Sequence, residues 1–161
     1  HVGALFFQRA AELGQRPFVK LQRNDRFEEI SWENFRAKVQ CAIFGLYALG
    51  LKKGDVVAII GENSLEWLCV DVATRAGGFP NVTIAPSLSE GTTLRVLNHS
   101  GCRAAFVENE LLAGKLLNLK GQLPVLDHVV LLDGAETNLP HTMSFASLLA
   151  RGAGGDEGAG S

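Results

Sequence analysis

Apolar residues follow two periods along this chain, one typical of helices and one typical of strands. Apolar residues three or four positions apart predict helices at residues 31–49, 64–76, 87–98 and 110–119. A short apolar segment follows each helix, at residues 55–60, 79–84, 103–108 and 128–132. Such segments are typical of strands buried on both faces of a parallel sheet. We therefore predict an α/β fold with a mostly parallel, doubly wound sheet and helices on both faces.

The two ends of the chain are expected to lie outside this alternation. A helix is predicted at residues 2–13, followed by two strands at 17–22 and 26–30 with Asn24-Asp25 as their hairpin turn. These strands are polar on one face, so we expect them at an edge of the sheet. A short helix is predicted at residues 144–150. Residues 151–161 hold five glycines, so we expect a flexible tail beyond an α/β unit of residues 1–150.

Polar residues before three helices are interpreted as N-caps. Ser31 precedes the first long helix. Asn63 and Ser87 are each followed three residues later by a glutamate, Glu66 or Glu90, which is the spacing of a capping box. Capping accounts for these residues without a catalytic role.

Composition narrows the classes of function. The 161 residues suffice for one domain, and 47% hydrophobic residues suffice for a core. With a net charge of -2 and no basic stripe along a helix, nucleic acid is not expected as a partner. Cys41, Cys69 and Cys102 are odd in number and widely spaced, which favours buried thiols of a reducing compartment. No apolar run has the length of a membrane span, so we expect a cytoplasmic protein.

Side chains that carry hydrolytic or metal chemistry form no recognisable motif. The histidines have neither metal-ligand spacing nor an H-E-x-x-H pattern, and no G-x-S-x-G is present. The glycines after residue 150 resemble a phosphate loop only superficially, because they follow no predicted strand and include no lysine. We predict no catalytic residue and no metal ligand within this chain.

Several segments together point to a family. They are Ile-Ser-Trp-Glu-Asn-Phe at 30–35, Gly-Asp-Val-Val-Ala-Ile-Ile-Gly-Glu-Asn-Ser-Leu-Glu-Trp at 54–67, Ala-Gly-Gly-Phe-Pro-Asn-Val at 76–82, Pro-Ser-Leu-Ser at 86–89 and Leu-Asn-His-Ser at 97–100. In this order they resemble the N-terminal part of acyl-CoA synthetases, members of the adenylate-forming (AMP-binding) superfamily. The last two segments are similar to those of the long-chain branch.

The resemblance implies an N-terminal piece of the large domain of an ATP-dependent long-chain fatty acid–CoA ligase. Such a parent enzyme forms an acyl-adenylate and passes the acyl group to CoA, with fatty acid, ATP, Mg²⁺ and CoA as its ligands. Long-chain acyl substrates partition into bilayers, so a peripheral membrane contact stays open. The family's phosphate loop should follow residue 150, but that loop and the later nucleotide-binding motifs are not among these residues.

The chain also begins with His1 rather than Met. We therefore expect a fragment that is inactive alone and binds no cofactor alone. A face that the parent buries internally should then be exposed, so we expect the fragment to form a homo-oligomer.

The resemblance further implies a contact with the nucleotide end of CoA at Ala85, Pro86 and Ser87 and at the segment 112–115. Lys115 could pair with a phosphate, and the turn from a parallel strand into a helix favours anions. However, Leu112 stands where one relative has an arginine, and no aromatic residue near Pro86 can stack on adenine. The alternative is a free-standing α/β binding or interaction domain without catalysis.

Overall fold

The N-terminal third of the chain forms a helix, a β-ribbon and a second helix. The computed structural model describes residues 2–23, 26–133 and 137–159. Helix α1 is Val2–Leu13, strand β1 is Pro17–Arg23, strand β2 is Arg26–Ser31 and helix α2 is Trp32–Ala48. The first helix, the two strands and the Ser31 cap of α2 are confirmed. The expected hairpin turn, Asn24-Asp25, lies outside the described residues.

The β-ribbon does not lie at an edge of the main sheet, so that prediction is wrong. Strands β1 and β2 pair only with each other, antiparallel, in a separate two-stranded sheet. The ring of Phe18 in β1 stacks on Phe35 of α2 with a centroid distance of 4.5 Å, and it meets Trp32 edge-on at 4.4 Å. Burial of aromatic surface against a helix therefore places the ribbon, and sequence alternation alone cannot distinguish this from an edge position.

The rest of the chain alternates between strands and helices. The strands are β3 Val57–Ile60, β4 Asn81–Ile84, β5 Ala104–Val107, β6 His128–Leu131 and β7 Thr142–Ser144. The helices are α3 Leu65–Gly77, α4 Glu90–Ser100, α5 Glu110–Asn118 and α6 Phe145–Ala159, with a short 3₁₀ turn at Lys120–Gln122.

All five strands run parallel in the order β4-β3-β5-β6-β7. The predicted parallel α/β fold is confirmed, and β7 is an additional strand.

Helices cover both faces of the parallel sheet, as a doubly wound fold requires. Val57 and Ile59 of β3 point into a core shared with α2, α3 and α6, whereas Ala58 and Ile60 point into a core shared with α4 and α5. Strands β3 and β5 are buried along their whole length. Burial on both faces explains why these segments are apolar without alternation. Within the described residues, no helix combines the length and apolar character needed to cross a membrane.

Helix α6 continues through the segment expected to be a flexible tail, which corrects that expectation for residues 151–159. Gly152 is buried against α2, where an added Cβ would lie 2.8 Å from the backbone nitrogen of Gly45. A Cβ on Gly45 would in turn lie 2.5 Å from the carbonyl oxygen of Leu148. The two helices therefore meet backbone to backbone, and only glycine fits at this crossing. Close packing against α2 offsets the poor helix propensity of glycine.

Candidate functional site

The candidate site lies at the carboxyl end of the parallel strands. After β3 the chain moves outward to β4 and then crosses back over β3 to reach β5. This reversal creates a topological switch point between β3 and β5, which is where open α/β sheets usually bind ligands. The backbone there is tightly packed, since a Cβ on Gly61 would lie 3.0 Å from the Cβ of Glu108.

A pocket of about 60 Å³ opens at this edge of the sheet, on the side covered by α4 and α5. The loop after β4, the first turn of α4 and one face of α5 form its walls, and Ile60 at the end of β3 also contributes. The lining residues are Ile60, Ala85, Pro86, Leu88, Glu90, Thr93, Leu112, Lys115, Leu116 and Leu119.

The structure brings three of the four sequence-predicted site residues together. Ala85 and Pro86 lie on one wall, and Lys115 lies on the wall formed by α5. Ser87 belongs to the same loop but is not among the lining residues. Ala85 and Lys115 are 30 positions apart in the sequence but line the same pocket. They come together because α4 and α5 pack on the same face of the sheet.

The cap of α4 differs from the prediction and alters this wall. The N-cap is Ser89 rather than Ser87, and its Oγ accepts a hydrogen bond from the backbone nitrogen of Thr92 at 3.2 Å. Glu90 is therefore the first helical residue and lines the pocket, instead of closing a capping box with Ser87. Its negative charge also lies at the positive end of the helix dipole.

The N-cap of α3 also differs from the prediction, in this case by one residue. Its N-cap is Ser64, whose Oγ accepts from the backbone nitrogen of Trp67 at 3.0 Å, so the predicted cap at Asn63 is wrong. Serine and asparagine are comparably good N-caps, and local sequence does not decide between neighbours.

Lys115 and Glu90 give the pocket both signs of charge. Lys115 lies in the last turn of α5, which starts at an Asn109 cap, and its side chain is exposed. Among the described residues, no carboxylate is placed within ion-pair distance of its ammonium group. Leu88, which is 43% exposed, forms an apolar rim. The arrangement can hold a single anionic group next to apolar surface.

Sequence reasoning named Leu112 and Lys115 but missed Glu90 as a pocket residue. The signal was present, since Glu90 follows the Pro-Ser-Leu-Ser segment directly. The sequence pattern predicts a capping role alone for Glu90, whereas the displaced cap frees its side chain for the pocket.

A second hollow, of about 250 Å³, lies at the same edge on the opposite face of the sheet. It is lined by Lys38, Leu65, Glu66, Cys69, Leu132, Asp133, Phe145, Ala146 and Leu149. Cys69 is only 1% exposed, and burial raises the pKa of its thiol to about 12. A thiol that stays protonated is a poor nucleophile.

Cys102 is also buried, and burial raises the pKa of its thiol to about 11. Cys41 is half-buried, and none of the three cysteines forms a disulfide within the described residues. Across residues 2–23, 26–133 and 137–159, no group of three or more His, Cys, Asp or Glu side chains is placed to hold a metal ion.

Comparison with known proteins identifies the family. The family model described as "AMP-binding enzyme" matches residues 6–153. The human "Long-chain-fatty-acid--CoA ligase ACSBG1" is 30% identical over 132 residues, which is 81% of this chain and 18% of that protein. An uncharacterised protein of Mycobacterium tuberculosis is 23% identical over 129 residues, which is 80% of this chain and 71% of that protein.

The similarity to solved structures concerns the fold. The acetoacetyl-CoA synthetase of Streptomyces lividans matches with a TM-score of 0.80 and 19% identity, over 92% of this chain and 25% of that structure. The chain thus spans 17–18% of the length of the curated ligases that it matches first.

Proposed function

This chain belongs to the AMP-binding enzyme family, and from that premise we propose that it forms the N-terminal part of an ATP-dependent long-chain fatty acid–CoA ligase. In the complete enzyme a fatty acid carboxylate attacks the α-phosphate of ATP, which yields an acyl-adenylate and pyrophosphate. The thiol of CoA then attacks the acyl carbon and releases AMP. The observation that carries the proposal is the similarity, over 81% of this chain, to a relative named as a long-chain ligase.

This chain's own contribution is to the binding of CoA. We propose that the loop of Ala85, Pro86 and Ser87 lies against the nucleotide end of CoA and that the Lys115 ammonium pairs with one of its phosphates. Support comes from the position of the pocket at the carboxyl ends of the strands and from a lysine without a carboxylate partner among the described residues. We assign ATP and Mg²⁺ mainly to the rest of the parent, because the family's phosphate loop and later nucleotide-binding motifs are not among these residues.

The test is a substitution of Lys115 in the longer polypeptide that the proposal requires. Lys115→Ala should raise the KM for CoA by a factor of about two to five, because an exposed ion pair contributes up to about 1 kcal/mol. The fatty-acid-dependent ATP–pyrophosphate exchange, which needs no CoA, should stay unchanged. Lys120→Ala is the matched control, because Lys120 lies outside the pocket lining. An unchanged KM for CoA in Lys115→Ala would remove Lys115 from the site.

A second candidate is a free-standing α/β binding domain. The short Mycobacterium tuberculosis relative, of which this chain spans 71%, favours it. The reading frame distinguishes the two candidates. A frame that continues past Ser161 into a Thr/Ser/Gly-rich loop supports the ligase, and a stop codon near Ser161 supports the binding domain.

A further inference from the structure

The pocket of the proposed CoA contact carries little positive charge for a ligand with several phosphates. Among the described residues that line it, Lys115 is the single cation and Glu90 the single carboxylate. The formal charge of the lining is therefore zero. CoA brings a diphosphate and a separate 3′-phosphate to its nucleotide end, and these groups compete for one ammonium group.

Leu112 occupies a position from which a second cation could reach the same phosphate as Lys115. It lies three residues before Lys115 on α5, and residues three apart share one face of a helix. Leu112 and Lys115 both line the pocket, and the next lining residues along α5 are also leucines, Leu116 and Leu119. The α5 wall is therefore apolar except at Lys115.

We infer that this pocket binds the nucleotide end of the thiol acceptor without selecting for its 3′-phosphate, and that Leu112 is the residue responsible. The inference rests on the proposed function and deepens it. An exposed lysine contributes a factor of about five at most to the binding of one phosphate. Glu90 repels the same anion and offsets part of that factor. CoA and dephospho-CoA, which differ only in the 3′-phosphate, should thus be equivalent ligands.

The experiment measures the dissociation constants of CoA and dephospho-CoA by calorimetry on the longer polypeptide that the proposed function requires, because the 161-residue chain alone is expected to bind no cofactor. A fall in the affinity for CoA by a factor of up to about five in Lys115→Ala locates the binding at this pocket. The two constants should agree within a factor of about five. Leu112→Arg supplies a guanidinium fork one turn from Lys115, and it should raise the preference for CoA to about tenfold or more. Glu90→Gln should raise the preference in the same direction by a smaller factor.

Leu111→Arg is the matched control. It adds the same charge one position earlier, but Leu111 is 69% exposed and does not line the pocket. Its preference should equal that of the unsubstituted chain. Thermal melting checks that Leu112→Arg remains folded, because Leu112 is half-buried.

Three results would overturn the inference in distinguishable ways. A preference of more than about tenfold for CoA in the unsubstituted chain, lost in Lys115→Ala, would show that one lysine suffices for selection. A folded Leu112→Arg chain with no gain in preference would remove the role of Leu112. If both ligands bind but neither loses affinity in Lys115→Ala, CoA does not contact this pocket and the inference fails, whereas acyl-CoA formation by the same polypeptide would still support the proposed function.

Discussion

Replacing Gly152 with alanine tests whether α6 belongs to the fold. In an exposed helix the change from glycine to alanine stabilises by about 1 kcal/mol, because alanine has the higher helix propensity. Here the new Cβ would lie 2.7 Å from the carbonyl carbon of Cys41 and 2.8 Å from the backbone nitrogen of Gly45. Both are backbone atoms, so neither can rotate away. Relief requires α6 to move off α2.

The magnitude follows from the two opposing effects. Overpacking of a close-packed site costs about 1–3 kcal/mol, and more where backbone must move. Because the added Cβ meets only backbone atoms, we take the upper part of that range, about 2–3 kcal/mol. After subtraction of the propensity gain of about 1 kcal/mol, we expect Gly152→Ala to lower the free energy of unfolding by about 1–2 kcal/mol. In a chain of this size that corresponds to a fall in Tm of about 2–8 °C.

Gly154→Ala is the matched control for this prediction. Gly154 lies in the same helix, is exposed, and has no atom within 4 Å of a built Cβ. It should gain about 0.5–1 kcal/mol and melt about 1–4 °C higher. The assay is urea denaturation followed by circular dichroism, with thermal melts alongside. If Gly152→Ala is as stabilising as Gly154→Ala, the helix crossing is not as close as described and the tail prediction stands.

Three further predictions concern pH, activity and association. Burial raises the pKa of Cys69 to about 12 and that of Cys102 to about 11, against an ordinary value of 9.0. Between about pH 9 and pH 11 these thiols therefore ionise in the unfolded chain but stay protonated in the folded one. The thiols should leave the free energy of unfolding unchanged below about pH 9 and lower it as the pH rises toward about 11. The slope of the free energy of unfolding against pH should be smaller in Cys69→Ala than in the unsubstituted chain. An identical slope in both proteins would contradict this. The 161-residue chain should release no pyrophosphate from ATP and a fatty acid, as a coupled phosphate assay can check, and release abolished by a substitution within the chain would prove this wrong. A mostly apolar hollow, whose lining includes Val19, Leu65, Trp67 and Leu68, should promote self-association. Light scattering at micromolar concentration should therefore show a dimer or a larger species. A strictly monomeric chain would contradict this prediction.

The strands were predictable where burial on both faces leaves an apolar run. Strands β3 and β5 have every residue buried, and their segments were located correctly. Strand β7 was missed because Thr142, Met143 and Ser144 form no apolar run, and its place is set by pairing with β6. The sequence pattern predicts only the first part of α6, up to residue 150. Its glycines argue locally against a helix, and only the contact with α2 explains them.

The candidate site was predictable only in part. Ala85, Pro86 and Lys115 were selected through the family resemblance, and the crossover from β4 to β5 brings them to one pocket. The opposing charge of Glu90 was not foreseen, because the capping residue had been placed at Ser87 instead of Ser89. An error of two residues in a cap therefore changed the predicted electrostatics of the pocket.

The most direct test compares the 161-residue chain with the longer polypeptide that the proposed function requires. Each is incubated with ATP, Mg²⁺, CoA and a long-chain fatty acid, and acyl-adenylate and acyl-CoA are quantified by mass spectrometry. The account predicts both products, dependent on the fatty acid, from the longer polypeptide and neither product from the chain alone. A longer polypeptide that forms no acyl-adenylate with any fatty acid, or a chain that forms it unaided, would contradict the account.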